Sequence, residues 1–484
     1  MRQGRMARAI MKRVFSGSRF KSFLTLALVP VVVALAVVGY IAWRQSVPGV
    51  KVASPPPALL GQKTPLTLAL QASRGNVARA EVRLVQGGKN AVIARLDGPP
   101  APRVELPATV QPASLGMREG DATLEVWARD DFWRPIRLDD RVVAQFPVKI
   151  DLTPPRIEIL GATQYVSPGG AVLVAFRLPE PGRAEVRVGN QTFASFPYGP
   201  ADKGARIALI ALPWDYDGTG AMSVSAVDEA GNTASRAVPA ELKPRRFPHA
   251  TIEIKDGFLE AKVPELLPQR PAEQPLIEGF LVINRDQRRQ AEEEKRRIGA
   301  KTADSALWQG PFVQPRNTKV FANFAESRTY LYQGRPIDSQ VHFGYDLAAT
   351  KQMAVPAANS GVVAFTGPLT IYGNAVVIDH GLGLQTLYAH LSSIGVKPGD
   401  RVEKGQEIGR SGTTGLALGD HLHYEVLVHG ISVTPLEWWD PKWLRDRLAK
   451  PLQQAGLPEI GGVSAPAEER AAGPGRSAAR RRAR

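Results

Sequence analysis

The residues best suited to chemistry are histidines, and they are concentrated in one part of the sequence. Of the seven histidines, six lie between residues 342 and 429. This concentration is the strongest chemical signal in the chain. Four of the six stand in three short patterns: His342 with Asp346 four residues later, His390 in Leu-Tyr-Ala-His-Leu, and His421 with His423 and Glu425.

These residue types suit zinc. Zinc binds neutral imidazole nitrogen and carboxylate oxygen, and a catalytic zinc has three protein ligands and a water. Residues 421 to 427 alternate as a strand does, so His421, His423 and Glu425 are predicted to project from one face. One of the two histidines can then bind the metal while the other faces the reacting water. The sequence contains no H-E-x-x-H motif, which excludes the helical zinc-protease arrangement.

A longer, ordered series of motifs surrounds these histidines. The series is HFGYDLA from residue 342, GNAVVIDHG from 373, TLYAHLS from 386, VKPGDRVEKGQEIGRSGTTG from 396 and HLHYE from 421. In these motifs the chain resembles the lysostaphin-type, or LytM-like, zinc metallopeptidases, which cut peptide cross-links in bacterial cell walls. The resemblance implies a compact, mostly antiparallel β domain over residues 336–448. It also implies one zinc ion held by His342, Asp346 and His423, with His390 and His421 as catalytic histidines that do not bind the metal.

Two other functions fit parts of this region. A non-catalytic LytM-like domain would bind and activate a separate cell-wall amidase, but such domains have typically lost zinc ligands and all three matching positions are intact here. A biotinyl or lipoyl carrier domain would fit residues 396–409, but it lacks the hairpin lysine and leaves the histidines unexplained. We therefore expect a zinc metalloendopeptidase acting on peptidoglycan. One departure from the family is the segment 415–420, where family members commonly have a Ser/Gly/Pro-rich approach to HLH, and it bears on loop shape and substrate preference.

The remaining histidines and a tryptophan group are expected to be structural. His380 is predicted to be a turn residue, and neither His249 nor His429 is assigned a role. For Glu425 two roles stay open, orienting a ligand or completing the strand pattern. Packing is expected of the three tryptophans after the last strand, Trp438, Trp439 and Trp443.

Length and composition indicate a multidomain globular protein. The 484 residues correspond to roughly three to four folded units. Hydrophobic residues make up 44% and charged residues 22%, a globular rather than disordered composition. The absence of cysteine excludes disulfide scaffolds, thiol nucleophiles, cysteine zinc sites and a lipid-modified amino-terminal cysteine.

The net charge of +15 is concentrated at the two ends of the chain. Residues 1–22 and 470–484 contain thirteen basic residues and no acidic ones. The folded middle is therefore close to neutral, so a basic binding face is not required and we expect no nucleic-acid partner.

The segment from Phe23 to Trp43 contains twenty-one residues without a charge. A bilayer core of ~30 Å needs about 20 helical residues, so the segment is predicted to be a single transmembrane helix. Seven positive charges precede it, and the positive-inside rule makes residues 1–22 a cytoplasmic arm and places the rest outside the cytoplasmic (inner) membrane. The alternative, a cleaved signal peptide, has a shorter apolar core and a small-residue cleavage site, neither of which is present. The expected partners are the membrane, peptidoglycan and other envelope proteins.

Two β-sandwich domains are predicted between the membrane segment and the histidine-rich region. The sequence Arg-Ala-Glu-Val-Arg at residues 79–83 returns at 183–187, and Ala128-Arg-Asp130 is echoed by Ala226-Val-Asp228. Nearly equal offsets indicate a duplicated domain of ~100 residues, the size of an immunoglobulin-like sandwich. The domains are placed at 50–150 and 151–242, as spacers or weak recognition modules.

A connector and a tail complete the predicted mainly β organisation. The connector, residues 243–335, is expected to contain one helix over 285–298, capped by Asn284 and closed by Gly299. Its charge run is expected to be a solvated helix face. Residues 449–484 have few large apolar side chains and are predicted to be a disordered basic tail.

Overall fold

A computed structural model describes residues 17–136, 141–200, 204–348 and 350–464. The predicted arm up to residue 16 and the tail from residue 465 lie outside the described residues. The chain divides into two compact units, the first comprising residues 1–153 with 229–232 and the second comprising 154–228 with 233–484. Strands predominate in both, and the mainly β fold class is confirmed.

The first helix, α1 (Gly17–Ser46), contains the predicted apolar segment and extends beyond it at both ends. The stretch Leu28–Ser46 is long and apolar enough to cross a membrane, and it buries no residue within the protein. A signal sequence near the amino terminus would pass the same test of length and composition. Pro30 lies inside the helix without ending it.

Residues 50–150 form two sheets around one apolar core. The strands are β1 (Val50–Val52), β2 (Leu59–Leu60), β3 (Thr64–Ala72), β4 (Val77–Gln86), β5 (Lys89–Arg95), β6 (Arg103–Val110), β7 (Gly120–Asp130) and β8 (Arg141–Ile150). The sheet orders are β1-β3-β6 and β2-β8-β7-β4-β5. Every second residue of β7 from Ala122 to Asp130 is buried, as period-two alternation requires when one face of a strand meets a core.

Residues 158–242 form a second arrangement of two four-stranded sheets. The strands are β9 (Glu158–Ala162), β10 (Tyr165–Val166), β11 (Ala171–Arg177), β12 (Gly182–Val188), β13 (Gln191–Ala194), β14 (Phe196–Pro197), β15 (Ala205–Ala211), β16 (Ser223–Asp228), β17 (Thr233–Ala237) and β18 (Glu241–Leu242). The sheet orders are β14-β15-β11-β9 and β13-β12-β16-β17, while β10 pairs with β18.

The sequence echoes fall on equivalent pairs of strands. In the first domain Ala80 of β4 lies opposite Ala128 of β7. In the second domain Ala184 of β12 lies opposite Ala226 of β16. The two repeated sequences therefore lie on adjacent, hydrogen-bonded strands in both domains, which supports the duplication inferred from their spacing.

The second sandwich shares one apolar core with the carboxyl-terminal region. Short helices follow the last strand: α5 (Pro435–Trp439), α6 (Pro441–Leu444), a π-helical turn (Arg445–Ala449) and α7 (Lys450–Gln454). The π-helical turn packs on β11, and α7 packs on β9 and β11. Leu452 and Ile460 are fully buried. The predicted disorder of residues 449–464 is therefore wrong, because β9 and β11 supply the apolar surface that this segment lacks by itself.

Glu437 of α5 is buried against the second sandwich. Its Oε2 accepts a hydrogen bond of 2.8 Å from the backbone N–H of Ala171, and Arg245 lies 3.2 Å from Oε1. Burial outweighs these contacts and raises the pKa of the carboxyl from 4.5 to about 7.

Glu437→Gln is expected to change how stability depends on pH. Because the folded-state pKa is raised, the native protein holds the proton more tightly, so wild-type stability falls as pH rises from about 4.5 through 7. A difference of one between the folded-state and unfolded-state pKa corresponds to about 1.4 kcal/mol, and glutamine cannot contribute this slope. Denaturant unfolding of both proteins between pH 4.5 and 8 measures the difference. A wild-type stability that rises relative to the variant over this range would mean that the Arg245 ion pair dominates instead.

The connector is more structured than predicted. It contains β19 (His249–Ile254), α2 (Asp256–Leu266), α3 (Leu276–Val282), a π-helical turn (Ile283–Gln287), α4 (Arg288–Gly299), β20 (Lys319–Ala322) and β21 (Glu326–Tyr332). A further strand, β22 (Arg335–His342), begins at its last residue. Strand β21 lies between β19 and β22 in one sheet. Asn284 is not a helix cap, because α3 continues through the π-helical turn into α4. Its buried side chain instead donates to Asp338 and accepts from Arg288.

The carboxyl-terminal domain is built on one large sheet. Its strands are β23 (Tyr345–Ala348), β24 (Ala354–Pro356), β25 (Gly361–Pro368), β26 (Asn374–Gly381), β27 (Leu384–Ala389), β28 (Ser393–Ile394), β29 (Arg401–Val402), β30 (Glu407–Arg410), β31 (Leu422–Val428) and β32 (Ile431–Val433). The order in the large sheet is β20-β23-β31-β27-β26-β25-β29, with β32 paired to β31, while β24, β30 and β28 form a separate three-stranded sheet. Strands β23, β27 and β31 are thus adjacent, and the histidine motifs lie on them or at their ends.

Candidate metal centre

The structure brings His342, Asp346 and His423 together. His342 ends β22, and Asp346 of β23 lies directly opposite His423 of β31. The Nε2 atom of His342 lies 3.0 Å from Asp346 Oδ1 and 3.0 Å from His423 Nδ1. The Nδ1 atom of His423 lies 2.8 Å from the same carboxylate oxygen. Two nitrogens and one oxygen therefore converge on one buried point.

Hydrogen bonds on the far side of each ring determine which nitrogen carries the proton. His342 Nδ1 lies 2.9 Å from the carbonyl oxygen of Asn323, which can only accept, so Nδ1 is the donor and Nε2 presents a lone pair. His423 Nε2 lies 2.9 Å from Glu425 Oε1, so Nε2 donates and Nδ1 presents the lone pair. When both rings are neutral, as metal ligands are, the unprotonated nitrogens thus face Asp346.

This donor set fits a zinc ion. Ligands at the zinc distance of about 2.0–2.1 Å in a tetrahedron lie roughly 3.3 Å from one another, close to the separations seen here. Burial raises the pKa of Asp346, but the surrounding imidazoles lower it by more, so this side chain remains a carboxylate. Two lone pairs and a negative charge so close together repel one another unless a cation lies between them.

His390 and His421 lie beside these three residues. Their rings are 4.8 Å apart between centroids, and His421 Nε2 lies 3.5 Å from Asp346 Oδ1. His390 Nδ1 donates to the carbonyl of Thr414 at 2.8 Å, and His421 Nδ1 donates to the carbonyl of Gly419 at 2.7 Å. Each ring therefore keeps an unprotonated Nε2. Burial, with the neighbouring histidines, lowers the pKa of His390 well below its usual value and favours the neutral ring.

The backbone at His390 is in a left-handed conformation, with φ of 61°. A residue with a Cβ adopts this region at a cost of order 1 kcal/mol or more, and such residues cluster at functional sites. His390 follows the last residue of β27, and its N–H donates to the carbonyl of Tyr372 at 2.9 Å. This backbone conformation ends the alternation of β27 at His390 and places the imidazole ring beside that of His421.

Gly344 leaves room for the ring of His423. A Cβ added at this glycine would lie 2.6 Å from both Cε1 and Nε2 of His423. Any larger residue would push the imidazole away from its position. The glycine between His342 and Asp346 is therefore required by close packing, which explains its place in the HFGYD motif.

Two buried ion pairs support the ligands, and sequence reasoning missed their cations. Arg328 of β21 contacts Asp346 Oδ2 at 3.4 Å and Glu326 at 2.9 Å. Lys295 of α4 contacts Glu425 Oε2 at 2.8 Å. Lys295 belongs to the charge run predicted to be a solvated face, and for this residue the prediction is wrong because the side chain is fully buried. No local signal distinguishes it, since its partner is 130 residues away.

A cavity of about 540 Å³ opens onto the metal centre. The connector contributes apolar side chains such as Ile252, Phe258 and Phe280, together with Arg288. Leu416 and Leu418, from the segment that departs from the family pattern, line the same cavity. The connector and this loop thus shape access to the histidines.

The other histidines are not part of the centre. The prediction that His380 is a turn residue is wrong, because it lies within β26. Its buried ring is bonded to the carbonyl of Ser360 and the hydroxyl of Thr386, and burial lowers its pKa to about 4. His429 lies in a turn and stacks on Phe196, and His249 is exposed in β19. The three tryptophans pack in the core, as predicted: Trp438 on Trp308, Phe312 and Trp443, and Trp439 on Tyr345 and Tyr424.

The ordered motifs and this geometry agree with a comparison to protein families. Residues 340–435 match the model of peptidase family M23. The carboxyl-terminal domain is an M23 domain. This confirms the resemblance to lysostaphin-type peptidases, and residues 396–409 lie inside the match, which removes the reason to interpret them as a carrier domain.

Relatives with similar M23 regions include two proteins whose names describe endopeptidases. The DD-carboxypeptidase/endopeptidase Mpg of Neisseria meningitidis serogroup B (strain MC58) is 44% identical over 97 residues, which are 20% of this chain and 22% of that protein. The peptidoglycan DD-endopeptidase ShyA of Vibrio cholerae is 40% identical over 121 residues, 25% of this chain and 27% of that protein. This chain thus spans about a quarter of the length of these curated relatives.

Solved structures similar to this region include an antimicrobial peptidase. The catalytic domain of lysostaphin from Staphylococcus simulans is 29% identical, with a TM-score of 0.22 over 25% of this chain and 92% of that one.

Asp346→Ala is expected to abolish tight metal binding by the M23 domain. The wild-type chain should hold about one zinc ion, and loss of a ligand should weaken binding by more than the 10–100-fold typical of residues that only support a ligand. Metal content after dialysis and competition with a chelator measure this. Asp420→Ala, which removes a carboxylate from the same cavity but not from the ligand set, should keep the metal. Full zinc occupancy in Asp346→Ala would mean that the ligand set is wrong.

Proposed function

We propose that this protein is a zinc metalloendopeptidase that hydrolyses peptide cross-links of bacterial peptidoglycan. The observation that carries the proposal is the convergence of His342 Nε2, His423 Nδ1 and Asp346 Oδ1, with two further unprotonated imidazole nitrogens beside them. The M23 match and the names of the relatives support peptidoglycan as the substrate.

The histidines divide the work of the reaction. His342, Asp346 and His423 would hold a zinc ion, and the ion would supply Lewis acidity that polarises a carbonyl and acidifies water. His421 accepts the proton of the attacking water at Nε2, or stabilises the developing oxyanion, and His390 assists from the adjacent position. Both rings are held in orientation by backbone carbonyls on Nδ1, so no rotation is needed before proton transfer.

The cavity above the histidines would take the peptide. Its volume of about 540 Å³ accommodates several residues of an extended peptide, and its walls combine apolar side chains with Arg288. The residues of the connector that line it belong to the same compact unit as the metal centre.

Membrane anchoring is the second part of the proposal. Helix α1 is exposed along its apolar stretch and follows a basic, acid-free segment, so we propose a single-pass anchor with the M23 domain outside the cytoplasmic membrane. A reporter that is active only outside the cytoplasm, fused after residue 464, should be active. Activity of a cytoplasm-only reporter at that site would overturn the orientation and with it the wall substrate.

Incubating the purified full-length chain with wall sacculi, with and without a chelator, tests the activity. Release of new free amino groups is expected from an endopeptidase, and the chelator should suppress it. Restoration by added zinc is expected, because the metal is a cofactor rather than a substrate. Sacculi that release nothing at saturating zinc would contradict the proposal and favour an activator of a separate amidase, although the complete ligand set argues against that role.

A further inference from the structure

We infer that Lys295 is a positioning residue for the metal centre, acting through Glu425 on His423. The inference rests on the proposed zinc site and extends it, because it makes helix α4 of the connector part of the catalytic apparatus. The ion pair between Lys295 and Glu425 is buried, and it joins α4 to β31, the strand that carries His423.

Glu425 is the link between the helix and the ligand. The carboxylate is fully buried and each of its oxygens accepts two hydrogen bonds. Oε1 accepts from His423 Nε2 at 2.9 Å and from the hydroxyl of Tyr372 at 2.6 Å. Oε2 accepts from Lys295 Nζ at 2.8 Å and from the hydroxyl of Ser432 at 2.6 Å. One oxygen therefore holds the ligand while the other is held by the lysine.

Lys295 has no access to solvent. Its ammonium lies within 3.0 Å of Glu425, Glu292, Tyr372 and Ser432, and its exposed fraction is 0%. A fully buried lysine is rare unless it is paired. The ammonium neutralises Glu425, the carboxylate that accepts a hydrogen bond from the metal ligand His423. The pairing therefore affects the metal centre as well as the packing.

Helix α4 is held against the strands so closely that the lysine has little freedom. A Cβ on Gly299 would lie 2.3 Å from the backbone nitrogen of Gly430, and a Cβ on Gly430 would lie 2.3 Å from the carbonyl oxygen of Lys295. Gly430 lies in the turn between β31, which carries His423 and Glu425, and β32, which carries Ser432. The helix and the ligand strand are therefore one rigid arrangement around the ion pair.

The energetic consequence is asymmetric. A carboxylate that accepts a hydrogen bond from a ligating imidazole orients the ring and raises its basicity, and loss of such support typically costs 10–100-fold in metal affinity. Removing one member of a buried pair leaves an uncompensated charge, whereas neutralising both members is often tolerated. Lys295→Met leaves Glu425 buried without its cation, so it should weaken zinc binding. It should also destabilise the fold more than replacement of both partners does.

Zinc affinity, measured by chelator competition in the absence of substrate, tests the inference. Full-length Lys295→Met, Glu425→Gln and the double variant are compared with wild type. Arg297→Met is the matched control, because it removes a cation from the same helix whose partner, Glu294, is not connected to the metal ligands.

Lys295→Met is expected to weaken zinc binding 10–100-fold while Arg297→Met leaves it unchanged. If the lysine acts only through Glu425, the double variant should bind zinc within about three-fold of Glu425→Gln alone. Wild-type affinity in folded Lys295→Met would overturn the inference. The inference would also be overturned by a double variant that does not fold, or by one that binds zinc much more weakly than Glu425→Gln does. Either result would assign Lys295 a role independent of Glu425. If Lys295→Met itself does not fold, the zinc affinities of the double variant and Glu425→Gln still test whether Lys295 acts only through Glu425.

These outcomes are separable from those of the proposed function. Failure of the wild-type chain to bind zinc would remove the metal centre itself. Normal zinc binding by wild type and by Lys295→Met would remove only the role of the lysine and leave the peptidase intact.

Discussion

His423→Ala is expected to lose both zinc and wall cleavage, whereas His421→Ala is expected to keep zinc and lose turnover. His421 immediately precedes β31 and His423 is the second residue of that strand, yet their rings face different partners. His423 directs Nδ1 at Asp346 and His342, while His421 Nε2 lies at a longer 3.5 Å from Asp346. General acid–base catalysis is typically worth ~10²–10⁴-fold, so the loss in His421→Ala should be easily measured on sacculi.

Zinc content has to be measured at saturating metal in these variants. Loss of a neighbouring imidazole can also loosen a metal 10–100-fold, which would resemble loss of a ligand at limiting zinc. His390→Ala should behave like His421→Ala, because its Nε2 is also unprotonated and its ring is 4.8 Å from that of His421. His249→Ala is the control, since this histidine is exposed and does not line the cavity, and it should keep both properties.

Two results would contradict these assignments. If His421→Ala loses zinc at saturation while His423→Ala retains it, the roles of the two histidines are reversed. If both variants digest sacculi at the wild-type rate, the reaction takes place elsewhere on the protein.

A fragment of residues 300–464 is expected not to fold, although it contains every proposed ligand and catalytic histidine. It lacks the apolar side chains that the connector packs against the M23 domain, among them Leu259, Val263, Phe280 and Ile283. Each large buried side chain contributes about 1.5–3 kcal/mol. The fragment also leaves Glu425 buried without Lys295, and breaking a buried pair costs roughly 3–5 kcal/mol. Together these losses are comparable to or larger than the ~5–15 kcal/mol by which native proteins are stable.

The matched fragment is 154–464, which includes the second sandwich and the connector. The second sandwich shares its core with the M23 domain, so this longer fragment should be soluble and should unfold cooperatively. Circular dichroism and thermal melts of the two fragments measure the difference. A fragment 300–464 that melts cooperatively within a few degrees of 154–464 would show that the connector is a dispensable addition.

The concentration of histidines in one window and the family resemblance of the motifs around them were enough to locate the candidate centre. The spacing of His421 and His423 predicted two neighbouring imidazoles, and the resemblance to lysostaphin-type peptidases added His342 and Asp346, which the structure places at the end of β22 and in β23. The continuous apolar segment of α1 and the alternation in β7 are also local patterns, because helix length and strand facing depend only on neighbouring residues. The mainly β fold class followed from such patterns.

The tertiary structure alone decided which charged and polar residues are buried. Lys295, in a run of charged residues, has the composition of a solvated helix, and only the approach of β31 and β32 removes it from water. Asn284 has the sequence of a helix cap, but a preceding helix and the partner Asp338 keep it inside a continuous one. Residues 450–464 have too few apolar side chains to fold alone, and they fold because the second sandwich supplies the opposing surface. In each instance the free energy that stabilises the buried residue or segment comes from contacts between parts of the chain that are far apart in sequence. The spacing of neighbouring residues does not predict such contacts.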